Sequence, residues 1–92
     1  MEEGSTKGVV VMQVTVKYFG LVSSHVGKRV EVWTLPEEAT FATLKGLLCK
    51  KYGFDADIVA FYNLNGKGIA EDAVCHLADG DQVMIIPQIS GG

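Results

Sequence analysis

Apolar and polar side chains alternate most cleanly between Met12 and Tyr18. Met12, Val14, Val16 and Tyr18 fall on one side, and Gln13, Thr15 and Lys17 on the other. A period of two is that of a strand with one face in a core. The run Val9-Val10-Val11 leads into it, and Phe19 interrupts it by setting an aromatic ring on the polar side. The stretch Gly20 to Gly27 has glycine at both ends and reads as a connection carrying at most one irregular turn. Lys28 to Leu35 predicts a second strand with Val30 and Val32 on one face, and Pro36, which lacks an N–H, closes its ladder. The connection is short enough for the two strands to pair as a hairpin.

The period then changes. Phe41, Leu44, Leu47 and Leu48 recur at three- and four-residue spacing, the pattern of a helix with one buried stripe. Thr40 is placed to cap its first turn. Lys50 and Lys51 suit the negative end of the helix dipole, and Gly53 suits the left-handed position that ends it. Gly46 inside this helix costs up to about 1 kcal/mol relative to alanine, a cost with a reason only where the backbone approaches the sheet closely. Ile58 to Leu64 predicts a third strand, Asn65-Gly66 a tight turn, and His76 to Asp81 a polar turn around Asp79-Gly80. Lys67 to Ala73 is compatible with a short edge strand. Gln82 to Ile86 is apolar on both faces, as a central strand should be.

The order is therefore hairpin, helix, strand, turn, strand. One amphipathic helix must cover the single apolar face of one small sheet. The first and last strands are the most apolar and belong side by side in its middle, parallel because a helix crossover separates them. The expected fold is α+β, a β-grasp with a mixed sheet of four to five strands under one main helix. Residues 1–8 are expected to be a disordered leader, residues 9–87 the domain, and residues 88–92 a flexible tail. A chain of 92 residues buries only about 60–65% of the surface its unfolded form exposes, which leaves little room for an enclosed active site.

Charge narrows the classes of partner. The net charge is −3 with no basic run, which argues against nucleic acid as a direct ligand. No apolar run approaches a membrane span, and Met1-Glu2-Glu3 lacks the features of a secretory signal. The expected location is cytoplasmic. The two cysteines do not form a disulfide framework. Cys49, among leucines, is expected to be a buried free thiol. Cys75 and His76 would point to opposite sides of a strand, and no second ligand pair accompanies them, so no metal site is expected. Asp79 and Asp81 fit a turn better than an acid pair. Asn65-Gly66-Lys67-Gly68 lacks phosphate-loop spacing and a following helix. Trp33 and Phe19 are compatible with a binding patch or with a plain strand pair.

The last residues carry the candidate chemistry. An apolar strand ends at Pro87, a short polar tail follows, and Gly91-Gly92 closes it. Glycine lacks a Cβ and can thread a narrow channel. Five extended residues, Gln88 to Gly92, reach roughly 17 Å, enough to enter a partner's pocket while the globule stays outside. A carboxylate on Gly92 would be a poor electrophile until adenylated or thioesterified on another protein.

From about Val14 to Gly92 the chain resembles the MoaD/ThiS family of ubiquitin-like sulfur carriers. The resemblance rests on Val16-Lys17-Tyr18-Phe19, Leu35-Pro36-Glu37-Glu38-Ala39-Thr40, Leu64-Asn65-Gly66, Leu77-Ala78-Asp79-Gly80-Asp81 and the ending Ile86-Pro87-Gln88-Ile89-Ser90-Gly91-Gly92. The ending is most similar to the MoaD branch, the small subunit of molybdopterin synthase. Two segments depart from the family pattern: the longer leader, and the stretch around Lys67 to Asp72. The resemblance implies a carrier that is not itself an enzyme and binds no cofactor. An ATP-using adenylating enzyme of the MoeB/ThiF type would activate Gly92, and a sulfur donor would convert the adenylate to a thiocarboxylate. The tail would then insert into the large synthase subunit and give its sulfur to a pterin precursor. Gly91, Ser90 and Ile89 would thread the channel, and Phe19, Ile86 and Pro87 would belong to an apolar partner-binding patch. Other outcomes of the same activation are sulfur transfer to thiazole or tRNA, or an isopeptide bond to a protein lysine. A plain β-grasp binding module is the reading without this chemistry.

Overall fold

A computed structural model describes residues 10–54, 58–70 and 74–87. The elements are β1 (Val11–Tyr18), α1 (Gly20–Val26), β2 (Val30–Pro36), α2 (Phe41–Tyr52), β3 (Val59–Leu64), β4 (Lys67–Ile69) and β5 (Gln82–Pro87). The five strands form one mixed sheet in the order β2-β1-β5-β3-β4. β1 and β2 are the expected antiparallel hairpin, and β1 and β5 the expected parallel central pair. This is the β-grasp arrangement. The expected leader, residues 1–8, and the expected tail, residues 88–92, lie outside the described residues.

The alternation in β1 is the core pattern: Met12, Val14, Val16 and Tyr18 are all buried. They meet Val83 and Ile85 of β5, Tyr62 of β3, and Phe41, Leu44 and Leu48 of α2. Each such side chain, fully buried, contributes roughly 1.5–3 kcal/mol. Phe41 and Tyr62 meet edge to face with centroids 5.3 Å apart, joining helix to sheet. Thr40 caps α2 as expected, in a capping box with Thr43. Gly53 ends it in the left-handed conformation, with its N–H donated to the Cys49 carbonyl. Asn65 and Gly66 both have positive φ, 53° and 90°, and join β3 to β4 as a two-residue primed turn. The Asp79 and Asp81 carboxylates are structural. Asp79 accepts from the Gln13 N–H at 2.7 Å, and Asp81 accepts from the Ala78 N–H and the Asn65 side chain.

Several expectations need correction. The Gly20–Gly27 stretch is a helix, α1. Gly20 takes φ +52°, which turns the chain directly out of β1, and Gly27 closes the helix at φ +88°. Only Val22 of α1 is buried, and seven residues are too few to display a helical period. Phe19 is therefore not on a strand face but is the extended residue before α1. β2 starts at Val30, not Lys28, and includes Pro36. It is an edge strand, so the missing N–H is tolerated. Leu47 is exposed rather than part of the buried stripe of α2. An added Cβ at Gly46 would meet nothing within 4 Å, so no close approach explains that glycine. Leu77, read within a polar turn, is a core residue. Cys49 is only half-buried and Cys75 is exposed.

A polar cluster locks the β1–β2 hairpin to α2. The Glu31 carboxylate accepts from Tyr18 Oη at 2.8 Å, Tyr52 Oη at 2.7 Å, Trp33 Nε1 at 3.0 Å and Lys51 Nζ at 2.9 Å. Burial alone would raise its pKa. The donors, Tyr52, Lys51, Tyr18 and Lys28, outweigh burial and hold it down at about 2. Burial, with Glu31 beside it, pushes the Tyr18 phenol up. Trp33 thus belongs to the helix side of the sheet and does not pair with Phe19.

Candidate functional site

The second face of the sheet has no helix on it among the described residues. The register assigns its side chains. In β5, Val83 and Ile85 are buried, so Met84 and Ile86 point the other way. Phe61 pairs with Ile86 and Asn63 with Met84 across β3. Lys17 of β1 lies between Met84 of β5 and Val30 of β2, and Thr15 lies between Gln82 and Val32. The result is an open face whose apolar members include Phe61, Ile86, Met84, Val30 and Val32, with Val11 at its far end. Phe61 is 51% exposed, Val30 52% and Val32 56%. Val30 and Val32 share a face, as the sequence suggests, but it is this open one.

The tail root sits at one corner of this face. Tyr18 is level with Ile85 in the parallel pair, so the chain leaves β5 beside the β1–α1 junction. There Pro87 packs on Gly20: a Cβ at Gly20 would stand 2.9 Å from the proline Cγ. The positive φ and this approach both require glycine. Phe19, 40% exposed, occupies the same corner. A cleft of about 560 Å³ opens beside it, lined by Lys17, Phe19, Gly20, Arg29 and Val30, with Tyr18 and Ser23 at its walls.

Of the residues singled out from the sequence, Phe19, Ile86 and Pro87 thus fall at one end of the sheet, Ile86 on the open face, Pro87 against Gly20 and Phe19 at the β1–α1 junction, with Ile86 and Pro87 half-buried. Gly92, Gly91, Ser90 and Ile89 lie outside the described residues. Phe61, Met84 and Lys17 were not anticipated as parts of this face. Phe61 lies in a strand apolar on both sides, and the bulge between Val59 and Phe61 shifts its parity. Lys17 was legible only as one polar position of β1. Among the described residues no group of three or more His, Cys, Asp or Glu could hold a metal. No described helix is long and apolar enough to cross a membrane.

Comparison with solved structures places this geometry. A candidate molybdopterin converting factor subunit 1 from Pyrococcus furiosus superposes with a TM-score of 0.70 at 27% identity, covering 85% of this chain and 99% of that one. Small archaeal modifier protein 1 from Methanosarcina acetivorans gives 0.67 at 22%, covering 90% and 99%. Subunit 1 or 2 in the complex of molybdopterin-converting factor from Helicobacter pylori gives 0.60 at 24%, covering 88% and 100%. The fold is that of the ubiquitin-like β-grasp proteins. The likeness to the Pyrococcus furiosus protein supports the resemblance to the MoaD/ThiS family, and the other neighbours share its fold. No protein-family profile and no curated protein matches the chain. The tail root thus lies at the end of the sheet, where Ile86 of the open face adjoins Pro87 on Gly20.

Proposed function

We propose that this protein is a sulfur carrier of the MoaD type, acting through the carboxylate of Gly92 in molybdopterin biosynthesis. The observation that carries the reading is the position of the tail root. β5 delivers the chain at Pro87 to the corner of an exposed apolar face, so a partner gripping that face receives the tail. In the proposed sequence the Gly92 carboxylate attacks the α-phosphorus of ATP on an adenylating enzyme and releases pyrophosphate. Hydrosulfide, or a donor persulfide whose S–S bond a second thiol then reduces, attacks the acyl carbon and displaces AMP, leaving a thiocarboxylate. The carrier binds no cofactor of its own and performs no catalysis alone. Gly91, Ser90 and Ile89 thread the partner's channel, while Phe19, Ile86 and Pro87 contact its surface. The solved structure of a complex of subunits 1 and 2 of the Helicobacter pylori molybdopterin-converting factor supports a large synthase subunit as the second partner. This chemistry belongs to the cytoplasm.

The likeness to small archaeal modifier proteins favours a second reading, a protein modifier that joins Gly92 to lysines through the same adenylate. Intact-mass measurement of protein isolated from its host without reducing agents separates the two. Exchange of one oxygen for one sulfur, localised to the C-terminal peptide, supports the carrier. Gly92 joined to lysines of larger proteins supports the modifier. With neither form present, even when ATP and the adenylating enzyme are supplied, the tail is inert and a plain binding module is left. Appending one residue after Gly92 should abolish both covalent activities.

A further inference from the structure

Lys17 is the one charged side chain on the open sheet face among the described residues; its register neighbours there are Thr15, Val30 and Met84. It is half-buried and lines the cleft beside Phe19, and a lysine so placed packs its stem on apolar neighbours while its ammonium seeks a polar partner. Arg29, exposed at the start of β2, lines the same cleft. Neither forms an ion pair among the described residues, whereas Lys28 and Lys51 are both held by Glu31. Among the described residues no acidic side chain lines the cleft, although the chain as a whole carries a net charge of −3. The two cations are therefore a local reversal of the molecule's charge, set where an apolar partner surface would close over them.

Covering Lys17 with a purely apolar surface would strand an unpaired ammonium, which is strongly unfavourable. A partner that fits this face must supply an anion there. Gly20, which touches Pro87, forms one wall of the cleft, so that anion would sit beside the root of the tail and set the register in which the tail enters.

We propose that the adenylating enzyme inserts an acidic side chain into the Lys17–Arg29 cleft, and that this contact selects and aligns the carrier. The inference rests on the proposed function, since activation of Gly92 is the step that both the carrier and the modifier readings require. The other occupants of such a cleft, a nucleotide phosphate or the carrier's own tail, would not respond to a charge change on the enzyme.

The test uses the full chain with the adenylating enzyme of its host, followed by ATP–pyrophosphate exchange at varied carrier concentration and salt. Replacing both cations (Lys17→Glu with Arg29→Glu) should raise the KM for carrier about tenfold or more and leave kcat within about twofold, because charges of this kind act on encounter and alignment. The neutral pair Lys17→Gln with Arg29→Gln should have an intermediate effect and a flatter salt dependence. Lys17→Arg should retain the wild-type KM. Exchanging an interfacial acid of the enzyme for lysine should restore exchange to the charge-reversed carrier. An unchanged KM in the charge-reversed protein, with wild type active, overturns this proposal alone. So does a KM rise that no enzyme acid-to-lysine exchange repairs. No exchange with wild type overturns the carrier reading, and this inference with it.

Discussion

Gly20 and Pro87 meet so closely that a Cβ on the glycine would lie 2.9 Å from the proline Cγ. Two requirements converge there, a left-handed turn out of β1 and a seat for the last residue of β5. Gly20→Ala is expected to cost about 1–2 kcal/mol from the left-handed conformation alone, and more from the collision. The steric part should vanish in a Pro87→Ala background, so the two substitutions should be coupled in a urea-denaturation cycle. Equal losses in both backgrounds would mean that the proline contact has no energetic weight.

Glu31 should make stability fall in acid. Its folded pKa is about 2, below the ordinary 4.5. A depressed carboxylate contributes stability above its unfolded pKa and loses it as pH falls through the folded one. The loss should therefore develop between about pH 4.5 and about pH 2. Glu31→Gln should cost on the order of 2 kcal/mol at neutral pH, because hydrogen bonds to a charged acceptor are exchanged for weaker ones. It should also flatten the acid limb. Thermal melts at pH 7, 4 and 3 provide the check, and an unchanged pH dependence in the variant would assign the acid loss elsewhere.

Phe61 should matter for partner binding and little for the fold. It is half exposed and stands directly across from Ile86. Phe61→Asp is expected to leave the melting temperature within a few degrees while raising the KM for carrier in adenylation. Phe19→Asp should behave alike. Ile86→Asp is half-buried and should lose stability as well as binding. A Phe61→Asp protein that binds as wild type would remove β3 from the partner surface.

Gly46 offers a gain. It is an exposed helix-interior glycine with open space around its Cα. Gly46→Ala should stabilise the protein by about 0.5–1 kcal/mol. The shift would appear in chemical denaturation, with no change in partner affinity. A loss of stability would show that something occupies that space in solution.

Much of the architecture was legible because its signals are local. The alternation in β1, the spacing of Phe41, Leu44 and Leu48, the Thr40 cap and the Asn65-Gly66 turn each depend on a few neighbouring residues. The central parallel pairing of β1 with β5 followed from their apolarity and from the helix crossover between β2 and β3. α1 was not legible, since a seven-residue helix anchored by Val22 has no period to read. The candidate site was half legible: Phe19, Ile86 and Pro87 could be named, but their partners in space could not.

What the sequence determined by itself is the set of elements, their order and the tail that follows Pro87, because backbone preference and hydrophobic period are short-range properties. Only the tertiary structure decided which residues share the open face. Face membership depends on strand register and on the bulge before Phe61, and a shift of one residue turns every side chain over. That long-range alignment joins Phe61 to Ile86, sets Lys17 among apolar neighbours, and seats Pro87 on Gly20.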